Sequence, residues 1–285
     1  MKWEENVRKV VPYVPGEQPQ EKDIIKLNTN ECPYPPSPMV DKAIKEMDYQ
    51  ELRLYPEFPE KTPLAARLAE YHHVKEEQIF IGVGSDDVLS MAFLTFFNSD
   101  RPVFFPDITY SFYDVWADIY RIPYEIKPLD AAFRIRKEDY IGKDCGGVIF
   151  PNPNAPTGVL METEEVEAIV KANSDVVVII DEAYIDFGGT TCLPLLEKYD
   201  NLLVVRTFSK SRAMAGSRIG YAVGNEKLIR YLNDAKYSVN SYTMNRPALR
   251  LGAESVKDEA YFQEICGKII ATRERNKKEL ASLGF

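Results

Sequence analysis

The sequence predicts an α/β protein built on a mainly parallel central sheet covered by helices, and three observations predict it. Five short runs, "QIFIGVG", "PVFFP", "GGVIFP", "VVVIID" and "NLLVVRTF", are continuously apolar instead of alternating with polar residues. Strands of that kind are buried on both faces, as in a parallel sheet. Helical patterns stand between them: "SDDVLSMAFLTFF" after the first run, "TYSFYDVWADIY" after the second and "ETEEVEAIVKA" after the third. The 285 residues are 45% hydrophobic and 12% aromatic, which is enough apolar material for a sizeable core.

The chain up to about Pro38 is irregular and rich in proline. "SPMVDKAIKEM" then places Val40, Ala43, Ile44 and Met47 at helical spacing. "KTPLAARLAEY" predicts a second helix, with Thr62 as N-cap and Pro63 at the first helical position. The strand–helix alternation follows and stops near residue 245. Beyond it, "DEAYFQEICGKIIATRERNKKELASLG" reads as one long amphipathic helix, with Phe262, Ile265, Ile269, Leu280 and Leu283 available for its buried side. Gly284 is a helix stop, and the apolar Phe285 beyond it suggests a chain that ends before its last unit is complete.

Composition narrows the function classes. With 35 basic and 44 acidic side chains the net charge is -9, which argues against a nucleic-acid or anionic-membrane surface but leaves room for a local cationic pocket. Cys32, Cys145, Cys192 and Cys266 are far apart, so a disulfide framework or a zinc site is not expected and a reducing cytoplasm is the simplest home. His72 and His73 are adjacent, face different directions on a helix and are expected to be solvated. The N-terminus lacks the apolar core of a signal peptide, and no apolar run reaches membrane-spanning length.

Ligands of an open parallel sheet bind outside the carboxyl ends of its strands. After "IFIGV" comes Gly84-Ser85-Asp86-Asp87 at a helix start, a ready phosphate site. "VFFP" is followed by Tyr110, an aromatic plate, and "VIFP" by the polar turn "NPNAPTG". "VVVII" delivers Asp181 and Tyr184; "LLVV" delivers Thr207, Ser209 and Lys210, with Arg218 eight residues beyond the lysine. Singly these are ordinary: most lysines are solvated, and Tyr110 and Tyr184 are two of 17 tyrosines. Together they suit pyridoxal phosphate. A lysine amine can join its aldehyde, Asp181 can keep its pyridine nitrogen protonated, and Tyr110 can stack on the ring. Tyr184 can bond the ring's phenolic oxygen. Ser85, the Asp86 backbone, Thr207, Ser209 and the Arg218 fork can hold the phosphate.

"NPNAPTG", "DEAYIDF" and "RTFSKSRAMAGSRIGY" resemble, in order, the motif series of the fold-type I pyridoxal-phosphate aminotransferases. "VRKVVPYVPGE", "LNTNECPYPPS" and "RLYPEFP" narrow the resemblance to the histidinol-phosphate aminotransferase family. The resemblance implies that Lys210 carries the cofactor, Asp181 meets its pyridine nitrogen and Tyr184 its phenolic oxygen. Tyr55 would reach the cofactor phosphate of a partner subunit, so a homodimer is implied. Tyr13 and Asn30 fall in segments that line the substrate side. The implied organisation is an N-terminal arm and small-domain segment (1–38), a large cofactor-binding domain (39–244) and the start of an incomplete small domain (245–285). The implied reaction is ping-pong transamination of histidinol phosphate with 2-oxoglutarate.

Three departures stand against the family pattern. Ala155 occupies the place of the asparagine that touches the ring oxygen, so Asn154 or a water would have to substitute. Cys32 and Pro35 stand where asparagine and glycine are usual. The family's C-terminal segment, with its substrate-gripping arginines, has no counterpart. The rival readings are a threonine-phosphate decarboxylase or aromatic aminotransferase of the same fold, and a module that binds the cofactor without turnover. A nicotinamide-dependent dehydrogenase built on "IGVGSDD" is a further rival, although Asp87 stands where its third glycine should be.

Overall fold

The computed structural model describes residues 2–17, 19 and 23–285. After the irregular arm come α1 (Pro38–Lys45) and α2 (Pro63–His72), then β1 (Ile79–Gly82), α3 (Gly84–Phe96), β2 (Val103–Pro106), α4 (Tyr113–Tyr120) and β3 (Tyr124–Lys127). They are followed by β4 (Gly147–Pro151), α5 (Thr163–Ala172), β5 (Val178–Asp181), β6 (Leu202–Thr207) and β7 (Gly220–Gly224). The helices α6 (Glu226–Val239), α7 (Arg246–Lys257) and α8 (Glu259–Ser282) close the chain. The strands form one sheet of order β1-β7-β6-β5-β4-β2-β3.

The run β3-β2-β4-β5-β6 is parallel, while β7 is antiparallel to both β6 and β1. These two reversals cancel, so β1 ends at the same edge as β6. Two strands escaped the sequence reading. β3, "YEIK", is an edge strand with only Lys127 buried, and β7, "GYAVG", is short and bounded by glycines.

Both faces of the sheet are covered, which is why its strands read as unbroken apolar runs. Phe80, Ile149, Ile179, Leu203, Val205 and Ala222 point to one side, against Val88, Phe93, Trp116 and Leu232 of α3, α4 and α6. Their neighbours Ile79, Ile81, Tyr221 and Val223 point to the other, against Leu64 and Leu68 of α2 and Ala248 of α7. Val148, Phe150, Val178 and Ile180 meet Val166 and Ile169 of α5 on that second side.

Pro63 opens α2 as expected, but the Thr62 hydroxyl donates to Pro59 O (2.6 Å) and does not cap the helix. Val40 and Ala43 of α1 are buried and Ile44 is exposed. The long final helix forms, yet only Phe262, Ile265 and Cys266 are buried in it; Leu280 and Leu283 lie open to solvent because the described chain offers those turns nothing to pack against. His73 is exposed, but His72 is partly buried. Its Nε2 pairs with Tyr221 OH at 2.8 Å, and burial drives its pKa down to about 3. No helix among the described residues is long and apolar enough to cross a membrane.

Candidate active site

Strands β6 and β7 pair antiparallel, with Thr207 opposite Gly220. The connection between them is therefore closed at its base, where Phe208 N–H donates to Ile219 O (2.9 Å). Met214 N–H donates to Phe208 O (3.0 Å) and Ala213 N–H to Lys210 O (3.1 Å). This folding back returns Arg218 to the start of the loop, where its Nη1 donates to Ser209 Oγ at 3.3 Å. The spacing of lysine and arginine is the length of that loop.

The loop forms one wall of a cavity of about 380 Å³ at the carboxyl edge of the sheet. Ser85, Asp86, Thr207, Ser209 and Arg218 line it together with Asp181, Tyr184, Tyr110 and Lys210. Ser85 and Asp86 belong to the N-terminus of α3, whose leading N–H groups and dipole favour an anion. Two glycines permit the close approach. Gly84 has φ +80°, and a Cβ on it would overlap the Arg218 guanidinium. A Cβ on Gly220 would overlap the backbone of Gly84 and Ser85. Asp86 supplies more than its backbone: its carboxylate accepts Tyr110 OH (2.7 Å) and Arg218 Nη2 (3.1 Å).

Asp181 is buried at the end of β5. It accepts Ala183 N–H (3.1 Å) and, at 3.4 Å, Tyr113 OH, and no cation among the described residues pairs with it. Desolvation raises its pKa from 3.8 to about 7, with the nearby Asp86 charge adding to the rise. Lys210 Nζ donates to Thr29 O at 2.9 Å. Burial lowers its pKa, an effect that the Asp86 and Glu31 charges partly oppose. The Tyr184 hydroxyl accepts Asn30 Nδ2 (3.0 Å), and desolvation raises its pKa.

Nine residues singled out from sequence thus share one cavity. Asn30, at φ +53°, reaches it through Tyr184. Tyr13 stacks on Phe112 with ring centroids 4.2 Å apart, and Phe112 in turn lies against Tyr110. Asn154 does not line the cavity. Its amide donates to Ile108 O (2.9 Å) and Thr157 Oγ1 (3.1 Å) and its carbonyl accepts Thr109 Oγ1 (3.0 Å), so it braces two loops while Ala155 takes the place at the wall. Tyr55 is 79% exposed, beside Tyr242. Asp87 turns away to accept Lys236 Nζ (2.5 Å) and Val83 N–H (2.8 Å).

Sequence reading missed Thr29 and Glu31, which line the cavity. The neighbouring Asn30 carried the only signal, because a main-chain acceptor such as Thr29 O has no sequence signature.

The residues fit pyridoxal phosphate. Hydroxyls, an arginine fork and a helix N-terminus line the cavity. A buried carboxylate without a cation lines it too, where a protonated ring nitrogen would supply one. The buried Thr29 Oγ1 at the cavity wall has no hydrogen-bond partner, which leaves a polar position for a bound group to satisfy.

Comparison with known proteins agrees. Residues 22–285 match the family "Aminotransferase class I and II". A histidinol-phosphate aminotransferase of Lactococcus lactis subsp. cremoris is 52% identical over 285 residues, covering 100% of this chain and 80% of the relative. The crystal structure of the histidinol-phosphate aminotransferase from Clostridium acetobutylicum superposes with a TM-score of 0.81 at 27% identity, over 90% of this chain and 77% of that one. The Sinorhizobium meliloti histidinol-phosphate aminotransferase, solved in complex with pyridoxal-5'-phosphate, gives 0.80 at 25% identity, over 90% and 70%.

Proposed function

The chain belongs to the class I and II aminotransferases, and from that premise we propose that it moves the amino group of L-histidinol phosphate to 2-oxoglutarate, forming imidazole-acetol phosphate and glutamate. The observation that carries the reading is the single cavity holding Lys210, Asp181 and Arg218, in a chain aligned from end to end with a histidinol-phosphate aminotransferase.

When bound, pyridoxal phosphate supplies an electrophilic aldehyde and a protonated ring that accepts electrons from the substrate carbon. The residues of the cavity would hold that group and move the proton. Arg218, Ser85, Thr207, Ser209 and the first N–H groups of α3 would hold the phosphate, with a charged fork at its centre. Asp181 would hold a proton on the ring nitrogen, because a buried carboxylate is stabilised by a cation and costly without one. Tyr110 offers its ring face and Tyr184 its hydroxyl. Lys210 Nζ, shifted toward the neutral amine by burial, can attack a carbonyl carbon and afterwards take and return the substrate proton. Its partner Thr29 O is a neutral acceptor that orients the amine without charging it. A homodimer belongs to this reading, in which Tyr55, exposed in the single chain, would serve a neighbouring subunit. The segment from 245 onward is read as the start of a second lobe, after a cofactor-binding unit at 39–244 and an arm at 1–38.

The test is product analysis with pyridoxal phosphate, histidinol phosphate and labelled 2-oxoglutarate. The reading expects imidazole-acetol phosphate and labelled glutamate in equal amounts. Carbon dioxide release without an oxo-acid requirement would instead identify a decarboxylase.

A further inference from the structure

Behind the catalytic cavity lies a buried ionic cluster that the mechanism leaves unused. Arg206, on β6, donates through Nε (3.0 Å) and Nη2 (2.8 Å) to Glu182 Oε2 and through Nη1 (3.2 Å) to Asp186 Oδ1. The other oxygen of Asp186 accepts Ser211 Oγ at 2.6 Å. Glu182 Oε1 accepts Cys192 N–H (2.6 Å), and Thr191 Oγ1 donates to Oε2 at 2.8 Å. The side chain of Glu182 is fully buried and that of Arg206 is 9% exposed.

None of these four residues lines the catalytic cavity; Arg206 and Asp186 face a separate groove on the other side. Their place in the chain is the informative feature. Glu182 directly follows Asp181, and Ser211 directly follows Lys210. The cluster therefore ties the backbone that carries the acid to the backbone that carries the amine, through side chains alone.

A stability role does not account for it. Burying the Glu182 and Arg206 charges costs several kcal/mol per ion, and well-packed apolar residues of similar volume are commonly as stable or more so. What apolar residues lack is direction. An arginine fork bonded to two carboxylates has one geometry, and the Asp186–Ser211 bond passes that geometry to the lysine loop.

We infer that Glu182, Arg206, Asp186 and Ser211 form a positioning clamp that sets Lys210 against Asp181. The inference rests on Lys210 being the residue that takes the cofactor. The clamp acts through Ser211, the last link before the lysine and the one whose removal leaves no buried charge without a charged partner.

The experiment follows capture of the lysine rather than turnover. Cofactor-free protein is mixed with pyridoxal phosphate, quenched with borohydride at intervals, and the labelled peptides are quantified by mass spectrometry. Exposed Lys227 serves as the internal reference. The parent protein should label Lys210 first. Ser211→Ala and, independently, Asp186→Asn should slow Lys210 labelling by about tenfold or more, the scale of a misplaced reacting group. Lys227 labelling and the fraction folded should stay as in the parent. Unchanged Lys210 labelling in a folded variant overturns the clamp, as does slowing that follows only the loss of folded protein. Failure of the parent to label Lys210 would overturn the functional reading itself, and is distinct from both.

Discussion

Asp181→Asn in the cofactor-free protein isolates the electrostatics of the site. The carboxyl is buried without a cation, and its pKa stands at about 7 against an ordinary 3.8. Ionising it in the folded state therefore costs on the order of 4 kcal/mol, at 1.36 kcal/mol per pH unit. Because the folded pKa is raised, this group's contribution is fully present below about pH 4 and is lost as pH rises through 7. Between pH 5 and pH 8 the share lost is about 2.5 kcal/mol. The asparagine variant has no such proton to lose.

Urea unfolding of both proteins at the two pH values should show parent stability falling by that much more than the variant's. Saturating pyridoxal phosphate should flatten the parent's dependence, because a protonated ring nitrogen beside Asp181 restores the missing counter-charge. Parallel pH dependence in the cofactor-free parent and variant, within about 0.5 kcal/mol, would refute the buried, unpaired carboxyl and the role built on it.

Other substitutions test the rest of the site. Lys210→Ala should leave the fold intact and lower kcat by at least roughly a thousandfold, measured by product formation. Arg218→Ala should weaken pyridoxal phosphate binding by about 10- to 100-fold in equilibrium titration, the value of a charged hydrogen-bonded pair. Gly220→Ala drives a methyl into the backbone of Gly84 and Ser85 and should cost about 1–3 kcal/mol in urea unfolding, together with cofactor affinity. Gly216→Ala, in the same cavity wall but with open space at its Cβ, should change neither. The rate of Lys210 labelling should rise with pH to a half-point below the 10.5 of an ordinary lysine.

Chemistry that sits at strand ends was legible in the sequence, because a parallel sheet delivers every carboxyl end to one edge. That rule brings Ser85, Tyr110, Asp181, Thr207 and Lys210 together from the sequence alone. Contacts that depend on tertiary approach were not legible. Gly84 and Gly220 matter because β7 runs against the start of α3, and β7 itself, with a glycine at each end, does not announce a strand. The partner of His72 is Tyr221, 149 residues away, and nothing local to the two adjacent histidines announces it. The motif alone suggests Asn154 as a stand-in at the cofactor for the asparagine replaced by Ala155, whereas its side chain is taken up by loop contacts to Ile108, Thr109 and Thr157. The Glu182–Arg206 pair has no sequence signature, because the two residues meet only when β5 and β6 align, and neither lines the cavity.

The most direct test of the central claim is the visible absorption spectrum of the protein with pyridoxal phosphate, recorded before and after histidinol phosphate is added without an oxo acid. The account predicts a band from the cofactor joined to Lys210, absent in Lys210→Ala, that converts to the pyridoxamine form on addition of the substrate. A lysine-dependent band that histidinol phosphate leaves unchanged would contradict the proposed substrate, and no lysine-dependent band at all would contradict the site.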